Sequence, residues 1–312
     1  MKKIPWAVGS TASGDGTYPT GESGTTAAAQ LRPRSTHEDE SGSDRRCAGN
    51  RCCTDRCVRA DLNAIGLTDD DRLVSFETRF PREVEVIGQV TGLVGDSDVV
   101  GLDYRVQNGL LYLVGDAGGI YTVSIVDASA TKVSQLSVAL SGTSFGVDFN
   151  PAADRLRVIS DTGQNLRHDV NTGTTTTDGP LTYPAVPPNG PTPGVGITAA
   201  GYTNNDLDPT TSTSLFVLDT VLDQTVLQSP ANAGLLAATG KFNVDAGLDA
   251  GFDIYSKLRD GRAVEVEGFA VLQIDGRSVG FKVNLLNGDV RRFRGFPGNT
   301  QVVDVALPLA QR

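Results

Sequence analysis

Four short stretches of the chain set an aspartate among apolar residues: GLDY at 101–104, GVDF at 146–149, GFDI at 251–254 and VVDV at 302–305. The acids are Asp103, Asp148, Asp253 and Asp304. The gap of 105 residues between Asp148 and Asp253 is about two periods, and AGYT at 200–203 fits its middle with Tyr202 in the Asp place, giving steps of 45, 54, 51 and 51. Carboxylates that recur with a repeat have two chemical uses. Brought around a common axis they line a channel or hold a hard cation such as calcium, whose oxygen ligands sit at about 2.3–2.6 Å. With Asn165 or Asn204 completing the set, such an ion would polarise a carbonyl, as in a metal-assisted hydrolase or lactonase. The second use is structural: each Asp accepts backbone N–H groups from the adjoining turn and braces its own repeat. The residue follows the repeat instead of marking one copy of it, so bracing carries the greater weight. Calcium at Asp103, Asp148, Asp253 and Asp304 is the alternative, and no cofactor is otherwise called for.

Other motifs carry less. Gly142-Thr143-Ser144-Phe145-Gly146 matches the GxSxG pattern of a hydrolase nucleophile elbow, which needs a strand before it and a helix after it. Here GVDFN follows and reads as a strand, and the only histidine beyond the first 61 residues is His168. Gly234 to Lys241 resembles a phosphate loop, but five residues separate its glycines and Phe242 stands where Ser or Thr would meet magnesium. His168, in NLRHDV, reads as a strand histidine without partners for a metal site. Asp245, Asp249 and Asp253 are four apart in NVDAGLDAGFD and lack the spacing of an EF-hand loop. No residue is assigned a catalytic role.

The elements that would position the repeated acids are short, β-rich and separated by turn residues. After Asp103 come LLYLVG, IYTVSIV and TKVSQLSV; after Asp148, RLRVIS, NLRHDV and TTTT; after Tyr202, SLFVLD, QTVLQS and LLAATG; after Asp253, RAVEVEGFAVLQI, VGFKVNL and DVRRFRGF. Segments such as GDAGG, SDTGQ and LNGD between them are turn chemistry. The unit is a four-stranded antiparallel meander, and such units repeating every 45 to 54 residues read as blades of a β-propeller. The last repeat supplies one strand, while AIGLT, RLVSFE and EVEVIGQV at the start match strands two to four. The fold expected is therefore all-β, a propeller of five four-stranded blades in which the C-terminal strand closes the N-terminal blade. A β-sandwich, the main rival, gives no reason for an Asp at this period. PAVPPNGPTP at 184–193 is expected to be a stiff surface loop.

Composition agrees with this and excludes other classes. The 312 residues are 39% hydrophobic but only 6% aromatic, with 36 Gly, which suits many turns and β-branched cores and not a coiled coil. A net charge of −10 argues against sequence-independent binding to nucleic acid or anionic membrane. No apolar run reaches the length of a membrane span. Residues 1–61 differ from the rest: they hold all four cysteines, and only Ile4, Val8, Leu31 and Val58 represent Leu, Ile, Val and Phe. That segment is expected to be disordered or mis-assigned by a wrong start or shifted frame, leaving a propeller domain at 62–312. Cys47, Cys52, Cys53 and Cys57 lack zinc-site spacing, and the apolar stretch Ile4 to Val8 is too short for a secretory signal.

SGTSFGVDFNPAADRLRVISDTGQNLR at 141–167, DGPLTY at 178–183, ITAAGYTNN at 197–205 and AGFDI at 250–254 closely resemble the bacterial family named domain of unknown function 4394 (DUF4394), from about Ile65 to Leu309. The resemblance implies a propeller-like domain, generally on exported proteins and hence extracellular or periplasmic, with no established activity or catalytic residues to carry over. The visible N-terminus lacks the export signal that this implies. The function expected is a non-enzymatic binding or scaffold module of the bacterial exterior, with a protein or carbohydrate ligand. The alternative is the metal-dependent hydrolase or lactonase with its site at the channel.

Overall fold

The computed structural model describes residues 61–311, and the expectations for the N-terminal segment, its cysteines included, lie outside the described residues. Strand residues alternate between faces while turn residues break the run. Asp71, Asp154, Asp223, Asp260 and Asp275 take left-handed φ angles between 50° and 57°, a conformation that Asp tolerates because its short side chain can bond locally. The acidity of the chain is thus partly turn chemistry.

Five four-stranded antiparallel sheets result. Blade I holds β1 (Asn63–Thr68), β2 (Arg72–Glu77) and β3 (Glu85–Gln89). Blade II is β4 (Val99–Tyr104), β5 (Leu111–Gly115), β6 (Gly119–Val123) and β7 (Ala130–Gln135). Blade III is β8 (Phe145–Asn150), β9 (Arg155–Ser160), β10 (Asn165–Asp169) and β11 (Thr174–Thr177). A hairpin follows, β12 (Thr182–Tyr183) with β13 (Thr192–Pro193), and encloses the proline-rich segment. Blade IV is β14 (Ile197–Tyr202), β15 (Leu215–Asp219), β16 (Gln224–Gln228) and β17 (Leu236–Lys241). Blade V is β18 (Ala250–Arg259), β19 (Arg262–Ile274), β20 (Arg277–Val283) and β21 (Val290–Gly295). The last strand, β22 (Val302–Ala306), pairs with β1 through Ile65 to Ala306 and Leu67 to Asp304 and is the innermost strand of blade I. Ring closure by the C-terminal strand is as the sequence predicts.

The apolar residues form five clusters, one for each junction between consecutive blades. A sandwich would show one core between two sheets; five inter-blade cores describe a ring. At the axis the innermost strands approach closely. A Cβ at Gly146 would stand 2.7 Å from the Ala199 backbone, and one at Gly251 would stand 2.7 Å from the Asp304 Cα. In blades II, III and V the glycine two places before the Asp, Gly101, Gly146 or Gly251, thus lets the inner strand nestle against the next. No helix among the described residues is long and apolar enough to cross a membrane.

Because every blade is an up-and-down meander, the starts of all innermost strands, the turns between second and third strands and the ends of fourth strands share one face of the ring. This is called the mouth face below.

Candidate functional site

An innermost strand pairs on one side only, and its other edge faces the axis with N–H groups that no ladder bond satisfies. The repeated Asp supplies the missing acceptor, but to the next blade. Asp103 accepts from the Phe149 N–H at 2.7 Å, Asp148 from Tyr202 at 3.1 Å, Asp253 from Leu307 at 2.6 Å and Asp304 from Leu102 at 2.9 Å. Each carboxylate therefore straps its blade to the following one. Bracing of the Asp's own blade is present as well, since Asp253 also accepts from the Ile254 N–H at 2.5 Å and Asp304 from the Val305 N–H at 2.9 Å. The bond to the next blade is what the expectation lacked, and it arises because the neighbouring inner strand presents unpaired N–H groups to the same axial side chain. Blade IV has no such strap. There the Tyr202 hydroxyl turns back to blade III and accepts from Arg157 Nε at 3.2 Å. The link forward comes from Asn205, which donates through its side chain to the Ile254 carbonyl at 3.1 Å and through its backbone to Ser256 Oγ at 3.0 Å.

All four acids are buried, between 2% and 6% exposed. Asp103, Asp148 and Asp253 each bring a carboxylate oxygen to within 4.8 Å of the other two. Burial, followed by repulsion from neighbouring acids, pushes Asp103 and Asp148 well above the ordinary carboxylate range. Burial likewise raises Asp304 well above that range and Asp253 to about 6, against bonds from the backbone that favour their charged forms. Three crowded, desolvated carboxylates either share protons or surround a hard cation. Asn165 and Asn204 do not join them: Asn165 accepts from Arg157 Nη1 at 2.8 Å and donates to the Gly179 and Ala231 carbonyls, while Asn204 donates to the Ser212 carbonyl at 2.5 Å.

The axis is open to solvent at the mouth. A recess of about 290 Å³ is lined from every blade: Thr68, Asp69, Asp71 and Val303 from I, Asp98 and Val99 from II, Thr143 and Ser144 from III, Thr198 from IV and Asp249 from V. It contains four carboxylates and several hydroxyls, and no Lys or Arg. Asp71 accepts from the Val99 N–H at 3.0 Å, and burial raises its carboxyl above the usual range. Among the described residues only Asp103, Asp148 and Asp253 gather three acidic ligand atoms within 4.8 Å. The mouth carboxylates do not form such a group.

The remaining motifs resolve into structure. Ser144 precedes a strand, not a helix, and its Oγ lies 3.5 Å from Asp249 Oδ1. His168, the only histidine among the described residues, is fully buried between Ser134 Oγ at 2.8 Å and Thr175 Oγ1 at 3.0 Å, and desolvation lowers its pKa. Gly234 caps a single 3-10 turn, Ala231–Ala233, and the residues after it enter β17. Asp249 lines the mouth, Asp253 lies within the ring, and Asp245 is exposed.

Two features were missed in the sequence. Asp116 accepts from the backbone and hydroxyl of Ser97 at 2.8 and 2.9 Å, and Asp161 does the same for Thr143 at 3.0 and 2.9 Å. This is a second repeated clamp, on the mouth face, and the signal was Ser or Thr followed 18 or 19 residues later by Asp. The other is the Arg157 guanidinium, 2% exposed, which donates to Asn165, to Asp178 at 2.7 Å and to Asn232 at 2.7 Å. Nothing local in RLRVIS distinguishes it from a solvent-facing strand arginine.

The family model described as domain of unknown function (DUF4394) matches residues 72–306, three quarters of the chain, and the chain belongs to that family. No curated protein matches it. Among solved structures, a nidogen/laminin complex is similar at 10% identity over 81% of this chain and 100% of that one, with a TM-score of 0.45. A structural genomics protein of unknown function from Bacteroides thetaiotaomicron is similar at 13% identity over 81% of this chain and 68% of that one, also at 0.45. The Kuenenia stuttgartiensis hydrazine synthase follows at 13% identity over 81% and 72%, with a TM-score of 0.32.

Proposed function

We propose that this member of the DUF4394 family is a binding module, not a catalyst, and that it takes an organic cation at the axial mouth: an amine, or the basic side chain of a protein partner. One observation carries the reading. All five blades contribute to a single recess that holds Asp69, Asp71, Asp98 and Asp249 without a compensating Lys or Arg. Carboxylates gathered in a concave surface focus their field on whatever enters it. The hydroxyls of Thr68, Thr143, Ser144 and Thr198 add hydrogen-bonding capacity. Ser144 has an acid beside it but no histidine, so a nucleophile with its base is not assembled. A scaffold set on the cell exterior, as the family resemblance implies, would present such a mouth to passing ligands.

The metal-dependent hydrolase is less well supported, because the acids crowded enough for an ion are the buried ones. Amide-shift mapping with spermidine as the probe tests the binding reading. Shifts grouped at residues 68–71, 98–100, 143–145 and 249–250 are expected, and shifts scattered over the ring with none at the mouth would contradict it.

A further inference from the structure

Blade V departs from the repeat. Its first two strands span 10 and 13 residues where most blade strands have 5 or 6, so the hairpin from Tyr255 to Glu267 overhangs the sheet on the face opposite the mouth. Cross-strand pairing places Ser256 opposite Val266 and Leu258 opposite Ala263, and partners across a ladder share a face. That face turns toward blade IV, where Ser256 meets Asn205. The tip is held there too: the Ala263 N–H donates to Asp206 at 2.8 Å and Arg262 pairs with Asp208.

Beneath this arm lies a cavity of about 570 Å³, within the range of small-molecule sites. Its apolar walls are Phe216, Val266, Val283, Leu285, Leu286 and Val290, and Gly268 forms part of the lining. Val266 is 37% exposed and Leu286 81%, so apolar surface continues from the cavity onto its rim. Lys282 and Arg291 also line it, directly opposite each other on β20 and β21. Like charges in that relation repel. Glu267 answers Lys282 at 2.7 Å, and Asp289 is engaged by the Asn287 side chain at 2.8 Å within the turn. Arg291 has no ion pair among the described residues, and β21 continues with Arg292 and Arg294.

We propose that this cavity is a second binding site, distinct from the mouth, for a small amphiphilic anion whose apolar body lies against Phe216, Val266 and Leu286 and whose anionic head pairs with Arg291. The apolar walls alone would take any greasy molecule. The Arg291 guanidinium on the rim, without an ion pair among the described residues, is what selects an anion, since a charge-assisted hydrogen bond to Arg is among the stronger polar contacts.

The test is fluorescence titration of the full chain with 8-anilinonaphthalene-1-sulfonate, an anionic apolar probe, and with the neutral N-phenyl-1-naphthylamine, using laurate as competitor. Saturable one-to-one binding of the sulfonate that laurate displaces is expected. Arg291→Glu should weaken the sulfonate by at least about tenfold while leaving the neutral probe unchanged, and Val266→Glu should weaken both. Arg291 and Val266 are exposed, and unchanged melting of each variant confirms that the fold is kept. Absence of sulfonate binding, binding that survives Val266→Glu, or equal loss of both probes in Arg291→Glu would each overturn the proposal.

Discussion

Asp148 and Tyr202 hold the same place on consecutive blades, and the carboxylate of the first accepts the backbone N–H of the second at 3.1 Å. The repeat thus bonds to its own next copy. A buried apolar side chain contributes about 1.5–3 kcal/mol and a hydrogen bond about 0.5–1.5 kcal/mol, so the five inter-blade cores hold the ring together. The straps fix which residue of one inner strand faces which residue of the next.

The straps need an acceptor, not a charge. Asp103→Asn keeps an oxygen for the Phe149 N–H and removes a carboxyl that burial and its neighbours already disfavour as an anion. It is expected to leave stability unchanged or slightly raised. Asp103→Ala leaves a buried N–H without a partner and should cost about 1–3 kcal/mol, read from denaturant unfolding of the two variants side by side.

The ring sets a pH dependence with a definite sign. Asp103, Asp148, Asp253 and Asp304 bind protons more tightly folded than unfolded, so their contribution is full below the unfolded value of about 4 and is lost as pH rises through the folded values, about 6 for Asp253. Stability from the ring therefore begins to fall as pH rises above about 4 and goes on falling through about 6, where Asp253 ionises. His168, depressed by burial, acts oppositely, since its contribution is present above its ordinary value near 6.5 and is lost as pH falls. The comparison of wild type with Asp253→Asn removes His168 from the result: the variant's melting temperature should depend less steeply on pH over this window.

Blade IV is joined to blade V by Asn205 instead of an Asp. Asn205→Ala should cost about 0.5–1.5 kcal/mol through the lost bond to the Ile254 carbonyl, and Asn205→Asp should not restore it, because a carboxylate has no donor for a carbonyl. Thermal unfolding of both variants checks this.

The period of GLDY, GVDF, GFDI and VVDV was enough to read the ring, its blade number and its closure by β22, because a repeat must bury each face on its neighbour. It was enough to place the four acids on the axis. It was not enough to show the bonds to the next blade, since no local spacing marks the N–H groups of Phe149, Tyr202, Leu307 and Leu102 that complete them. The mouth was less legible still. Asp98 and Asp249 each immediately precede an innermost strand, whereas Asp69 lies in the turn between β1 and β2, and only closure of the ring brings them to one recess. The cavity under the blade V arm follows from strand lengths that were visible in RAVEVEGFAVLQI, but its walls include Phe216 of blade IV, which only the packing reveals.

Closure through the C-terminal strand has its own consequence. Removing residues 301–312 takes away β22, the Asp304 strap to Leu102 and the Leu307 N–H bound by Asp253, and uncovers apolar residues of blades I and V. Loss of the cooperative melting transition, or aggregation, is expected. An unchanged transition would contradict the closed ring.

The mouth is the centre of the account, and calorimetric titration of the full chain with spermidine at low ionic strength tests it most directly. One saturable site is expected, weakened by added salt and weakened by about tenfold or more when Asp98→Asn and Asp249→Asn are combined, with Asp148→Asn binding as well as wild type. No heat of binding, or an isotherm that the paired mouth substitutions leave intact while Asp148→Asn abolishes it, would contradict the reading and return the site to the buried ring.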